Sequence, residues 1–314
     1  MNASTLSALR RSSADAISNL QLHRQLARFN QNRLRPGLPS AQWREELRSL
    51  LRCQLMEGEF VESCRSCFDK AWSEVPSEVE AFMVWFEQLK LCGPGQNHPL
   101  FGWLATEANA EQMCWFVTQE VAGEAGFEDL VALAQIKIPV QPKLEMARNY
   151  WDEMGRGHAE GMHGLLLDKL VAELTLTPTI EETVWESLAL ANLMVALAAN
   201  RRYAWQAIGA LGVIEMTAPG RVSKINEGLR RLGVSAAGRS YFQLHAGLDV
   251  RHSAAWNHEV IRPLVLGNPE LARPLAEGAW LRLMAGKRCF DRYSRELKVA
   301  DVLGLDRQEL ALAA

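Results

Sequence analysis

An all-α fold is predicted by three features of this 314-residue chain: apolar residues that return at three- and four-residue steps, capping combinations ahead of several such runs, and a near absence of alternating strand-like stretches. The length exceeds the commonest domain size, so the chain forms one large helical domain or a catalytic domain with a helical extension.

Residues 1–45 are basic, with Arg10, Arg11, Arg24, Arg28, Arg33 and Arg35 set against Asp15, and end in the breaker-rich Arg35-Pro-Gly-Leu-Pro39. They read as a helical arm plus a linker, the arm offering either a solvated face or a binding surface. From Ser40 to Leu91 the spacing of Leu47, Leu50, Leu51 and Leu55, then Phe82, Val84, Trp85 and Leu89, marks amphipathic helices. A loop follows at Cys92-Gly-Pro-Gly-Gln-Asn-His-Pro99. Asn109 with Gln112 caps a helix to about Val121, and another runs from Phe127 to about Ala134. Pro139 and Pro142 are expected to hold off the next helix until about Lys143, because proline lacks the amide donor and disfavours helical geometry in the preceding residue. Pro178-Thr179 with Glu182 is expected to open a long helix to about Asn200. Further helices are expected near 203–216, 221–232, 237–260 and 268–286, with breaks at Pro219-Gly220 and Gly267-Asn-Pro269. No internal repeat is visible, which disfavours a solenoid.

Hydrophobic residues make up 48% and charged residues 23%, proportions that oppose disorder over most of the length. The formal net charge of −3 gives no global basic field, so nucleic acid is not an expected partner. Leu188 to Ala199 is the longest apolar stretch and falls short of the roughly 18 to 20 residues that span a bilayer, so it reads as a buried helix and no membrane association is expected. Met1 to Leu9 lacks a secretory leader pattern, and a cytoplasmic address is expected by default. The six cysteines, on apolar helical stretches, do not form a disulfide framework, and Cys64-x2-Cys67 has neither the second pair nor the strand context of a zinc or redox motif.

The sharpest local signal is His245-Ala-Gly-Leu-Asp249-Val-Arg-His252. Two imidazoles and a carboxylate at i, i+4 and i+7 share one stripe of a helix, where they can hold iron, manganese or zinc. The competing reading is a polar face with incidental histidines. A second polar knot runs from Asn149 through Asp152, Glu153, His158 and Glu160 to His163. On a straight helix Glu153 and His163 point about 80° apart, so their convergence requires an irregularity, which Gly155, Gly157 and Gly161 supply; Glu160 with His163 at i, i+3 is the simpler alternative pair. Glu215 stands in the otherwise apolar Ala210-Leu-Gly-Val-Ile-Glu215-Met. A buried carboxylate there asks for a cation, either a metal or Arg221.

Taken together, Glu153, then His163 ten residues later, Glu215, and the triplet His245, Asp249 and His252 resemble the haem-oxygenase-like di-iron oxidase and oxygenase superfamily, the iron-containing redox enzymes, over roughly residues 98 to 262. The Glu-x9-His spacing most resembles its N-oxygenase members, as do His98-Pro-Leu-Phe and Asp152-Glu-Met-Gly-Arg-Gly. The resemblance implies an all-α, haem-oxygenase-like seven-helix bundle, placed over residues 96–314; it assigns no function to the additional N-terminal helical segment over 1–95, for which the readings are homodimer contacts or a buttress to the bundle. It implies two Fe ions (Fe2+/Fe3+) held by Glu153, His163, Glu215, His245, Asp249 and His252, with Glu120 or Glu124 as an additional carboxylate. Dioxygen is then the co-substrate and an external electron donor the partner. A peroxo-di-iron intermediate would oxygenate the nitrogen of a small amine or amino acid in specialised metabolism. Other members of the superfamily desaturate, or cleave a C–C bond in, amino acids or fatty acids. Arg148, Arg156 and Arg251 are near enough in sequence to meet a substrate carboxylate. The readings from other classes are a haem protein using His158 or His163 as axial ligand, which has no need of three carboxylates, and a metal-free helical interaction protein.

Overall fold

The computed structural model describes the backbone of residues 3–71 and 75–299 and the side chains of residues 19–68, 75–247 and 251–299. The described elements are helical: α1 (Ala3–Leu34), α2 (Trp43–Ala71), α3 (Val79–Cys92), α4 (Pro99–Thr106), α5 (Ala110–Gly123), α6 (Phe127–Ala134), α7 (Val140–Glu153), α8 (His163–Glu173), α9 (Trp185–Ala199), α10 (Ala204–Arg231), α11 (Ser240–Ala255), α12 (Arg262–Gly267) and α13 (Ala272–Glu296). A single isolated bridge, Met154 to Met162, is the only strand-like pairing among the described residues. Among the described residues no helix is long and apolar enough to cross a membrane.

Burial follows from sequence. On α9 nearly every side chain from Glu186 to Ala198 is buried, so this apolar helix runs through the middle of the bundle, with α1, α5, α6 and α13 packed around it. The long helix α10 lies against α13, α11 and α4. It meets α13 at Gly209 and Gly278, where a Cβ would sit within 2.0 Å of the opposing backbone, so only glycine permits the approach. The N-terminal helices are tied in by paired charge: Arg33 holds the buried Glu57, and the buried Glu277 of α13 takes Arg65 Nε at 2.9 Å and Gln206 Nε2 at 2.7 Å. Arg24 and Arg28 of α1 both reach Glu181, so these arginines act within the fold instead of on a wholly solvated face.

Several boundaries differ from the sequence expectation. Helix α7 begins at Val140, not near Lys143, with Pro139 as its cap residue and Pro142 in its first turn, where amides lack intrahelical acceptors anyway. Thr179 does accept from Glu182 N at 3.2 Å, but this closes a turn, and α9 starts only at Trp185, with Val184 N donating to Gln119 Oε1 at 2.9 Å. The expected break at Pro219-Gly220 is absent: α10 continues through Pro219. The proline there removes the donor that would otherwise bond the Glu215 carbonyl, a local cost that the packing of α10 outweighs. Helix α13 runs ten residues past the expected end at 286, to Glu296.

Candidate metal centre

Glu153 is the last residue of α7 and His163 the first of α8. Between them the chain leaves α-helical geometry, where sequence suggested a bulge. Gly155, Arg156 and Gly157 adopt positive φ (60°, 53° and 86°), and two short 3-10 turns carry the loop back to an antiparallel bridge between Met154 and Met162. A Cβ on Gly155 would lie 2.6 Å from the carbonyl carbon of Gly161, so the neck of the loop closes only with glycine at this position. The excursion brings His163 Nδ1 to 2.7 Å from Glu153 Oε2. His158 and Glu160, at the loop tip, are exposed and take no part.

Helix α11 adds His245 and His252, seven residues apart on one stripe. His245 Nδ1 donates to the Tyr241 carbonyl at 2.6 Å, which fixes the tautomer and turns Nε2 toward Glu153 Oε2, 3.6 Å away. His252 Nε2 lies 3.2 Å from Asp152 Oδ2, so its other nitrogen, Nδ1, faces inward, 3.4 Å from Glu153 Oε1 and 3.6 Å from Glu215 Oε2. From α10, Glu215 accepts a hydrogen bond from Asn149 Nδ2 at 2.7 Å. Glu215 thus meets Asn149 and His252. The result is two triads, Glu153 with His163 and His245, and Glu153 with Glu215 and His252, each with donor atoms within 4.8 Å of one another and every residue buried. Glu153 belongs to both.

The side chain of Asp249 lies outside the described residues. The structure thus brings five of the six expected ligands together. Of the two additional carboxylates considered, Glu124 Oε1 is 3.0 Å from His163 Nε2, on the opposite side of the ring from Glu153, whereas Glu120, one turn earlier on α5, interacts with Arg221 and Arg282. The sequence reading placed Asn149 and Asp152 in the polar knot but gave them no role, and they orient Glu215 and His252; it missed Glu128, whose buried Oε2 makes no hydrogen bond and on which His163 acts through space. Asn149 stands one turn before Glu153, a spacing that signals a shared face.

The electrostatics show what the cluster lacks. Burial alone would raise the Glu153 carboxyl, yet the surrounding His163, His245 and His252 hold it far below the usual carboxylate range. Burial likewise would lower the two flanking imidazoles, but Glu124 and Glu153 push His163 well above its ordinary value, and Glu153, Glu215 and Asp152 push His252 up to about 11. Protons on histidine therefore supply the positive charge that converging buried carboxylates require. A metal cation supplies the same charge and frees the imidazoles as ligands. The buried His252 Nδ1, without a hydrogen-bond partner and facing two carboxylates, fits that role. A set of carboxylate oxygens and imidazole nitrogens suits iron.

Fold and site together define a helical-bundle protein built around two adjacent carboxylate–histidine clusters. Residues 114–287, more than half of the chain, match the family described as iron-containing redox enzyme, and the chain belongs to that family. Its fold is the all-α, haem-oxygenase-like bundle with additional N-terminal helices. Among solved structures it is similar to a CADD-like protein of unknown function from Nostoc punctiforme, at 17% identity and a TM-score of 0.56, over 71% of this chain and 99% of that one. A second structure of the same cyanobacterial protein, at higher resolution, gives 18% identity and a TM-score of 0.54 over 72% and 98% of the two chains. No curated protein matches.

Proposed function

We propose that this protein is a di-iron, dioxygen-dependent oxidoreductase that oxygenates the nitrogen of a small amine or amino acid. The observation that carries the reading is the sharing of one carboxylate, Glu153, by two buried triads, an arrangement that calls for two neighbouring cations. Glu153, His163 and His245 would hold one iron, and Glu153, Glu215 and His252 the other, with Asp249 as the remaining ligand from α11. Two ferrous ions held there would supply electrons and open coordination positions for reduction of dioxygen.

The chain's own residues make that chemistry orderly. The Tyr241 carbonyl and Asp152 hold the rings of His245 and His252 by their outer nitrogens, so the inner nitrogens stay aimed at the cluster. Asn149 fixes one oxygen of Glu215 and leaves the other toward His252. Glu124 holds a proton at His163 Nε2. Phe127 stacks on His163 at 5.8 Å between centroids and Tyr241 meets its edge at 4.9 Å, which keeps bulk water from this side. Oxygenation of an amine consumes dioxygen, two electrons and two protons and yields a hydroxylamine and water, so an external electron donor is part of the proposal.

The test is anaerobic reconstitution with ferrous iron, followed by oxygen and a panel of amines and amino acids with a chemical reductant, reading oxygen uptake and product mass. A product heavier by one oxygen on nitrogen supports the reading. A product lacking two hydrogens, or a cleaved carbon chain, replaces N-oxygenation with the desaturating or cleaving chemistry, and absence of oxygen uptake by an iron-loaded protein contradicts the oxidoreductase proposal.

A further inference from the structure

Away from the metal cluster, α1, α5, α9 and the loop at 178–183 meet around a cavity of about 340 Å³. Its walls are set by short side chains: Ala27 of α1, Ala122 and Ala125 of α5 and Ala191 of α9 leave the space that larger residues would fill. The volume is roughly twice that of an apolar cavity of about 150 Å³ that takes up benzene, and it falls in the range of small-molecule sites. Gln31 and Thr179 are exposed and mark the mouth. None of the residues lining the cavity is charged. One wall, α1, lies outside residues 114–287 that match the family.

Two buried asparagines, Asn30 and Asn192, also line the cavity, and their hydrogen bonds run in a fixed direction. The His23 carbonyl can only accept, so Asn192 turns Nδ2 toward it at 2.9 Å and offers its Oδ1 to Asn30. Asn30 donates Nδ2 to that oxygen at 2.9 Å. Turning over either amide would set oxygen against oxygen, at His23 or at Asn192. The chain therefore ends on Asn30 Oδ1, a buried acceptor without a hydrogen-bond partner on a residue only 6% exposed. A buried acceptor left in this state is destabilising, and the group it lacks is a donor. One water molecule satisfies the acceptor but leaves most of the apolar volume unfilled. A charged guest would lose its hydration with no counter-charge in the walls.

We propose that this cavity binds a small neutral molecule with an apolar body and one O–H or N–H, which donates to Asn30 Oδ1. The occupant bridges α1 to α5 and α9, which gives the N-terminal segment a part in ligand binding. The site shares no residue with the metal cluster and does not rest on the iron-centre reading.

The probes are indole, its carbon-methylated analogue skatole and its nitrogen-methylated analogue N-methylindole, together with naphthol and its methyl ether. They are titrated by calorimetry into the full chain, metal-free and anaerobically iron-loaded. Indole or naphthol binds one per chain in both states, with Kd below about 1 mM. Methylation on nitrogen or oxygen weakens binding roughly 10-fold, whereas skatole, which carries the same added methyl but keeps the N–H, binds at least as well as indole. Asn30→Leu abolishes the difference between skatole and N-methylindole. Ala191→Phe and Ala122→Leu fill the cavity from two different helices, and each, folded by circular dichroism, loses binding. Hydrogen exchange on wild type places the site without any variant: the bound probe slows exchange in residues 19–34 and 185–195. No binding by either donor probe, equal affinity for N-methylindole and skatole, unchanged exchange in both segments, or full binding by a folded cavity-filling variant overturns the proposal. Failure of the wild type to bind iron, with metal-free probe binding intact, overturns the proposed function and leaves this site standing.

Discussion

His163 Nδ1 lies 2.7 Å from Glu153 Oε2, although a loop with three consecutive left-handed residues separates the helices that carry them. The neck of that loop, where Gly155 meets Gly161, sets this distance. Gly155→Ala adds a Cβ at φ 60° and 2.6 Å from opposing backbone, and is expected to cost about 1–3 kcal/mol and to reduce iron retention more than total secondary structure. Thermal unfolding and metal analysis of the same preparation check this; an unchanged iron content removes the loop from the account.

Ligand substitutions separate by which triad they touch. Glu153→Ala removes a donor from both and is expected to abolish stoichiometric iron, whereas Glu215→Ala and His245→Ala each disrupt one triad and leave part of the metal bound. Iron per chain after anaerobic reconstitution and desalting distinguishes these outcomes, with circular dichroism confirming that each variant is folded.

Asn149→Ala leaves all the expected ligands in place and removes only the hydrogen bond to Glu215 Oε1. A loss of about 10- to 100-fold in iron affinity, with the fold intact, is the expected consequence of freeing one ligand's orientation. Competition with a chelator measures it, and an affinity equal to wild type assigns Asn149 no role at the centre.

Away from the cluster, the His23 imidazole is buried between Phe60 and Trp185, and this burial, with Arg288 adding to it, lowers its pKa from 6.5 to about 4. The unfolded chain then binds a proton that the folded chain refuses between pH 6.5 and about 4, so stability is full above this window and falls as pH drops through it. The contribution is at most about 3 kcal/mol. Denaturant unfolding of wild type and His23→Gln between pH 7 and 5 is expected to show a shallower slope in the variant; parallel slopes contradict the assignment.

Much of the helical layout was legible because capping and periodicity are local. Phe127–Ala134 has the predicted bounds, and Asn109 and Gln112 form the predicted reciprocal cap of α5. Pro219 misled because its effect is decided by tertiary packing: α10 lies against α13, α11 and α4, and one lost backbone bond does not break it. At the site, the stripe of His245 and His252 and the lone carboxylate in apolar α10 were readable from spacing and context. The orienting roles of Asn149, Asp152 and Glu124 were not, because each depends on a contact between different helices. The arginines show the same limit: nearness in sequence favoured Arg148, Arg156 and Arg251, and the fold leaves all three exposed.

The measurement that bears most directly on the central claim is the iron content of wild type and Glu153→Ala after anaerobic loading with ferrous iron. Two irons per wild-type chain and none retained by a folded Glu153→Ala is the outcome that a carboxylate shared by two triads predicts. A folded wild type that binds no iron, or a Glu153→Ala that keeps its full complement, contradicts it.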